Sequence, residues 1–580
     1  MDIIFDIETN GLKPDKIHCL VAKPLGQEIK TFRPHEIEQG IKFLQQADAL
    51  IGHNIIGFDI PVINKLYNVD LFKNTVVIDT LVMSRLFNPV RDGGHSLNNW
   101  GYIVRCPKGQ EPDDWEIFTE DMLTYCKQDV VLNEKIFHYL NSEGEKFSEE
   151  SMVLEHDVFK IMKQQEDDGF LFDIKKASIL CAELKERMTI VQKEVRATFE
   201  PKWVDVKLVK PKFKKDGELS KSGLTTGKGG EYERLLESKD YKPFMRQKLQ
   251  EFNLGSRKQI GEYLQDFGWK PNKFTPTGQP IVNESSLSKV KHIPEAKLIA
   301  EFLLLQKRIA QIESWINAVE KDSRIHGFVI SNGTITGRMA HRSPNTGQVP
   351  NIRSEYGTEC RSCWIVPKDY KLVGIDASGL ELRMLAHYMN DSEYTNEIIH
   401  GDIHTKNQKT AGLKTRENSK TFIYALMYGA GDAKLGQVIG GNKTAGTKVR
   451  KHFFDNQPSF KILKDKVEQA ANRGYLKGLD GRKIFIRNKH AALNSLLQGG
   501  GAIVMKKALV LLNDKAKQNN IDYKFVANIH DEWQVEVKEN QAEQFGKFGI
   551  EAIKEAGQHF NMRCPLDGEF KIGEDWSETH

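Results

Sequence analysis

A strand that ends in a carboxylate constrains this chain more than any other feature. Leu372-Val373-Gly374-Ile375 is an apolar run that terminates in Asp376, turns through Ala377-Ser378-Gly379 and resumes at Leu380-Glu381 as the head of a helical pattern. Far downstream, Asp531 stands between two alternating segments, Lys524 to Ile529 and Trp533 to Val537, which read as a hairpin with Asp531 at its tip. Hairpin-tip acids are commonly solvated turn residues. Here His530 and Glu532 flank Asp531 between strands too apolar for a surface ribbon. Between the two aspartates, Arg416, Lys420, Tyr424 and Tyr428 recur every four residues, which keeps them on one face of a helix that Gly429-Ala430-Gly431 then ends. Such a stripe also suits an amphipathic helix with snorkelling cations. In the functional reading the cations take a triphosphate and the rings stack on base and sugar. Two metal-binding aspartates around a cationic helix suggest chemistry on a nucleoside triphosphate.

A second acidic set begins at the amino terminus. Asp6-Ile7-Glu8 lies in a strand-like run, where residues two apart share a face. Side-by-side carboxylates repel unless a cation separates them, so the pair is a good metal seat, although surface strands carry such pairs too. Asp59 follows the apolar stretch 54–58, and Tyr125 and Asp129 stand four apart on one predicted helix face.

At 580 residues the chain is too long for one core, so several domains are expected. No run of 18 or more apolar residues occurs, so no membrane span is expected. The acidic start enters a strand pattern at once, and no signal peptide is expected. Seven scattered cysteines point to a reducing compartment. Cys360 and Cys363 form a lone pair without a second half-site for zinc. Residues 1 to about 145 alternate strands and helices; long helices follow from Glu150, Met152 to Gln165 and Ile174 to Ala197. The stretch from about 199 to 245, rich in Lys, Gly, Ser and Thr, reads as an insertion or mobile loop. Residues 201–230 contain eight lysines against three acids, as in a solvated loop or a contact with a phosphate backbone or a partner. Ser256 is expected to cap a helix, with Gln259 reaching back to close a capping box, and an exposed helix start suits a phosphate.

The four acids and the tyrosine, in this order, resemble the DEDDy proofreading exonucleases, which have an RNase H-like fold. The resemblance implies that Asp6, Glu8, Asp59 and Asp129 bind two metal ions and that Tyr125 helps orient the attacking water. The segments around Asp376, the 416–428 helix and Asp531 are similar to motifs A, B and C of family A DNA polymerases. That similarity runs through nearly the whole chain and is nearest to the replicative podovirus branch. It implies an α/β, multidomain fold with an exonuclease domain at 1–145 and a right-hand polymerase. The thumb would span 146–330 with an insertion at about 199–250, the palm 331–390 and 496–580, and the fingers 391–495.

The resemblance also implies site roles. Asp376 and Asp531 would hold two Mg2+ ions, and His404 in Gly401-Asp402-Ile403-His404 would face the triphosphate with Arg416, Lys420, Tyr424 and Tyr428. Glu381 would occupy the 2′ position of the sugar. Arg338, Asn345, Gln348 and Gln498 would read the minor groove, where every correct pair offers nearly the same acceptors. His530 would lie beside the primer end, and Ser256 is assigned to DNA contact. Expected partners are primer-template DNA, dNTPs, a helicase-primase and a single-strand binding protein, in the cytoplasm of a bacterial host. A thioredoxin-like processivity factor at the insertion is possible on the resemblance, but the stretch here is short and lysine-rich.

No 5′-nuclease region is expected ahead of Met1, which would leave primer removal to another protein. The segment 436–444 nearly spells a phosphate-binding loop, but Asn442 replaces the required lysine and no strand precedes it. Gly499, Gly500 and Gly501 suit close backbone packing better than a phosphate cradle. Three readings remain open beside a replicative polymerase: a cellular repair enzyme of the same family, a single-subunit RNA polymerase, and an inactive DNA-binding scaffold. Glu381 and the exonuclease set speak against the RNA polymerase, and the full set of metal ligands against the scaffold.

Overall fold

The computed structural model describes residues 1–579 except 146, 272, 288, 289 and 291. The chain forms two compact units, Met1–Ile174 with Ala318–His580, and Lys175–Asn317.

Among the described residues, the first unit holds a five-stranded and a four-stranded sheet beside three two-stranded ribbons. In the amino-terminal one the strand order is Lys30–Phe32, Ile17–Pro24, Asp2–Thr9, Ala49–Gly52, Val76–Asp79. Asp2–Thr9 runs antiparallel to Ile17–Pro24 and parallel to Ala49–Gly52, so it is central and covered on both faces. Alternation within it is therefore incomplete: Ile3, Ile4 and Phe5 are all fully buried, two on one side and one on the other. The helix Glu120–Gly144 covers one face with Met122, Cys126, Val130, Ile136 and Leu140. Thr119 caps its start by accepting from the Met122 N–H, and Glu120 and Asp121 sit at the positive end of its dipole.

The second sheet has the order Tyr523–Ile529, Glu532–Lys538, Tyr370–Ala377, Gly568–Gly573, with every pair antiparallel. The helices Ala492–Gln518 and Ala542–His559 share its apolar core. The helical segment Lys489–Gln518 is long and apolar enough to cross a bilayer, but 72% of that window is buried inside the protein, as in a core helix. Its three consecutive glycines serve packing, as expected. A Cβ at Gly499 would meet Ile484, one at Gly500 would meet Met384, and one at Gly501 would meet Leu380 of the Leu380–Met389 helix. Glu155, fully buried on the helix Glu149–Asp168, is paired with Arg482 and with Lys506 of the long helix. Asp480 completes this buried set against Arg482.

The second unit contains the helices Pro294–Ala318 and, from Lys175 onward, most of Ile174–Thr198. The stretch read as an insertion or mobile loop carries regular structure. Lys202–Val209 pairs antiparallel with Phe244–Gln250, and the helix Glu231–Ser238 lies between them in sequence. The physical reason is Trp203-Val204-Asp205-Val206, whose aromatic and β-branched residues favour a strand despite the lysines around them. Arg246 locks the ribbon to that helix through the Glu231 carboxylate. The capping box is also corrected. Ser256 accepts from the Gln259 N–H at 3.3 Å, but the Gln259 side chain accepts from the Asn253 N–H at 2.8 Å rather than from Ser256. Asn253 lies one turn further out, where the chain folds back on itself through Ser256 N–H to Asn253 C=O.

Candidate active sites

The amino-terminal centre is built on the face of Asp2–Thr9 that carries Asp6 and Glu8. Asp59 opens the helix Asp59–Tyr67, and its Oδ1 accepts from the Ile7 N–H at 3.1 Å, which fixes it beside the strand. Asp129 comes from the Glu120–Gly144 helix, four residues after Tyr125 on the same face. All four predicted carboxylates thus meet. Burial pushes Glu8 up to about 9, with Cys19 and Asp129 adding to it, and raises Asp59 to about 7. Asp6 is raised by burial and then by Asp59, Glu8 and Asp129. Asp129 is raised by burial to about 6 although Lys108 opposes the shift. Its Oδ1 is buried and has no hydrogen-bond partner among the described residues. Four crowded carboxylates with an orphaned buried oxygen fit divalent cations, which carry the charge that water cannot supply there.

Two members of this centre escape sequence reasoning. Lys108 donates to the Tyr125 hydroxyl and lies 3.3 Å from the Asp129 carboxylate. Burial lowers its pKa, and Asp129 and Tyr125 more than offset that, so it stays charged. Nothing in Cys106-Pro107-Lys108-Gly109 signals this, because the contact is tertiary; Gln128 holds the loop by donating to the Pro107 carbonyl at 2.7 Å. The other is Cys126, inside the Tyr125–Asp129 stretch, whose thiol donates to the Asp6 side chain at 3.6 Å.

The second centre forms where two strand ends meet. The Ala377 N–H donates to the Asp531 carbonyl at 3.1 Å, and Asp376 faces Glu532 across the ladder. Both aspartates therefore come from adjacent strand ends of one sheet. His530 takes a left-handed conformation, φ 60°, that turns the hairpin at this point. Burial raises Asp531 against the lowering influence of Arg338 and His530. An oxygen donor set of this kind suits a hard divalent cation.

Glu381 stands in the first turn of Leu380–Met389. Tyr428, which ends the Arg416–Met427 helix, donates to its two oxygens at 3.0 and 2.8 Å, and Arg338 lies 3.3 Å away. Tyr424 packs between His404 and Tyr428, with ring centroids 6.5 and 6.4 Å away, and Glu381 and Asp531 both act on its hydroxyl. Burial lowers the His404 pKa, and the charges of Arg416 and Lys420 lower it further, which sets both cations near this ring. Arg416 is held at 2.8 Å by Asp402, which also caps the His404 helix. Asp402 was legible as part of 401–404, but its grip on Arg416 was not. The helix ends at Gly429 with φ 76°, where a Cβ would run into the His490 carbonyl.

The remaining predicted residues are more dispersed. Asn345 and Gln348 are exposed, the first just ahead of the short turn Thr346–Gln348 and the second at its end, and Gln498 is half-buried on the long helix. Ser256 belongs to the second unit. Cys360 and Cys363 are both buried, and 436–444 joins two helices with no strand directly before it.

Comparison with known proteins agrees with this architecture. Residues 231–578 match the model of DNA polymerase family A. The chain is 33% identical over its full length, and over the full length of each relative, to the DNA-directed DNA polymerases of Enterobacteria phage T3 and Escherichia phage T7. It is 24% identical to DNA polymerase I of Aquifex aeolicus, covering 99% of this chain and 96% of that one. The fold matches the POL domain of Pol1 from M. smegmatis, solved with DNA primer-template and dNTP, with a TM-score of 0.76 at 17% identity, over 99% of this chain and 95% of that one. With its two acidic centres, its cationic helix and full-length similarity to phage enzymes, the chain belongs to DNA polymerase family A and is a DNA-directed DNA polymerase.

Proposed function

We propose that this chain extends a primer on a DNA template from dNTPs at the Asp376–Asp531 centre, and removes 3′-terminal nucleotides at the Asp6, Glu8, Asp59 and Asp129 centre. The observation that carries this reading is the presence of two carboxylate centres on two separate sheets, with Tyr424 of the helix that bears Arg416 and Lys420 close to Asp531 of the second. The exonuclease domain is assigned to 1–145, the thumb to 146–330, the palm to 331–390 and 496–580, and the fingers to 391–495.

Asp376 and Asp531 would hold two Mg2+ ions, and the amino-terminal acids two more. Bound there, such ions stabilise the charge on the attacking and leaving oxygens of an in-line phosphoryl transfer. The chain's own residues do the rest. Arg416 and Lys420 bind phosphate, with Asp402 orienting the guanidinium. Tyr424 stacks on the incoming base, and Tyr428 fixes Glu381, which fills the space a 2′-hydroxyl would need. Arg338, Asn345, Gln348 and Gln498 test pair shape in the minor groove, His530 abuts the primer end, and Ser256 contacts the DNA backbone. At the other centre Lys108 occupies an acceptor site on the Tyr125 oxygen, which leaves the phenol O–H to orient water.

The test is steady-state incorporation on a primed template with dNTPs against rNTPs, alongside digestion of single-stranded DNA. Incorporation of dNTPs with 3′-terminal digestion is expected. Preference for rNTPs would make the chain a transcriptase, and no incorporation at all would make it a binding scaffold. The phage similarity favours a replicative role in the cytoplasm of a bacterial host over cellular repair.

A further inference from the structure

The thiol of Cys126 is buried among the carboxylates of the amino-terminal centre, and hard-cation chemistry has no use for it. Its Sγ lies 3.5 Å from the Asp6 carbonyl and 3.6 Å from Asp6 Oδ2. One donor atom each from Asp6, Glu8 and Cys126 falls within 4.8 Å of the others. A tetrahedral ion with a sulfur ligand at about 2.3 Å and an oxygen ligand at about 2.0 Å separates those two atoms by about 3.5 Å. The Cys126–Asp6 spacing is therefore already that of two ligands on one ion.

Two further observations point the same way. Cys19 faces Glu8 across the ladder, so both side chains leave the same face of the sheet. Asp129 is nine-tenths buried beside this group, and its Oδ1 has no hydrogen-bond partner among the described residues. Mg2+ takes oxygen ligands, whereas thiolate sulfur selects softer ions. If Cys126 were only a packing residue of its helix, none of this arrangement would bear on metal choice.

We propose that Cys126, with Asp6 and Glu8, forms a mixed sulfur–carboxylate seat for a thiophilic divalent cation of the Zn2+ or Cd2+ class, which occupies the exonuclease centre in competition with Mg2+. Binding exchanges the S–H bond for a sulfur–metal bond, and the thiol proton leaves to buffer. The ion then holds Asp6 and Glu8 in a geometry set by sulfur, and cleavage stops. The competition rests on the exonuclease reading above; the metal seat does not.

The experiment titrates the full-length protein with Cd2+ and follows the ultraviolet sulfur-to-cadmium charge-transfer band. Wild type is compared with Cys126→Ser, Cys126→Ala, Asp6→Asn and the Cys360→Ser/Cys363→Ser double variant, each checked for fold by circular dichroism. The band is expected in wild type and in the double variant, and absent in both Cys126 variants. In Asp6→Asn it should need about tenfold more Cd2+ or more, the scale on which losing even a supporting group weakens a metal site. Cd2+ should also inhibit Mg2+-supported digestion, and the concentration for half inhibition, taken against each protein's own rate, should rise by a similar factor in Cys126→Ser. No band in a wild type that digests DNA, or a band that follows Cys360 and Cys363 instead, overturns the inference and leaves the exonuclease reading standing. A Cys126-dependent band in a protein that digests nothing with Mg2+ upholds the metal seat and removes the exonuclease reading.

Discussion

Tyr424 shows how much one hydroxyl can decide. Its ring lies between His404 and Tyr428, and its oxygen is close enough to Glu381 and Asp531 for both to raise its pKa, after burial. In the proposed complex that hydroxyl faces the 3′ side of the incoming sugar, where it replaces part of the hydrogen bonding that is missing when the nucleotide has no 3′-hydroxyl. Wild type should therefore accept dideoxynucleotides almost as readily as normal ones, and Tyr424→Phe should discriminate strongly against them. An unmatched polar group in a dry site costs about 1–3 kcal/mol, roughly tenfold to a hundredfold or more in rate. The ratio of dideoxy to deoxy incorporation efficiency in the two proteins measures this. Equal ratios would reduce Tyr424 to a stacking residue. Residues of this kind were legible because they repeat at helical spacing or end a strand. Lys108 and Cys126 were not: one reaches its site from a loop, and the other looks like any apolar residue in its helix.

At the scale of elements, periodicity exposed the strands around Asp376 and Asp531 and the long helices, since burial on one face leaves its mark on sequence. What it could not expose was which distant element each one meets. The ribbon at Lys202–Val209 was hidden by its lysines, and the Gln259 side chain bonds to Asn253 because the chain folds back there. Two predictions belong here. Gly429→Ala forces a Cβ against the His490 carbonyl at a left-handed position, so it should displace Tyr428 from Glu381. Weaker discrimination against rNTPs in that variant, with its fold retained, is the expected reading. Glu155→Leu leaves Lys506 buried without its anion and Arg482 with Asp480 alone, and breaking a buried pair in this way costs about 3–5 kcal/mol. Denaturant unfolding followed by tryptophan fluorescence, to which Trp533 of the second sheet contributes, should show the loss, and an unchanged midpoint would mean that the network is solvated.

At the scale of the molecule, the fold class was readable as α/β and multidomain, while the compact units were not readable from composition alone. The lysines of the second unit, among them Lys210, Lys212, Lys215, Lys221 and Lys228, give a prediction at this scale. Replacing those five by glutamine should weaken binding to primed DNA and flatten its salt dependence by roughly 0.9 for each phosphate no longer neutralised. Because the ribbon strands are left intact, single-nucleotide chemistry should persist; an unchanged slope would assign the lysines to solvent or to a protein partner.

The central claim is that one chain carries two independent carboxylate centres with opposite effects on a primer. Synthesis and 3′-terminal digestion should be measured on the same preparations of wild type, Asp6→Ala/Glu8→Ala and Asp531→Asn. Distant sites contribute independently. The account predicts that the amino-terminal pair of changes abolishes digestion and spares synthesis, and that Asp531→Asn abolishes synthesis and spares digestion. Loss of both activities together in either correctly folded variant would contradict it.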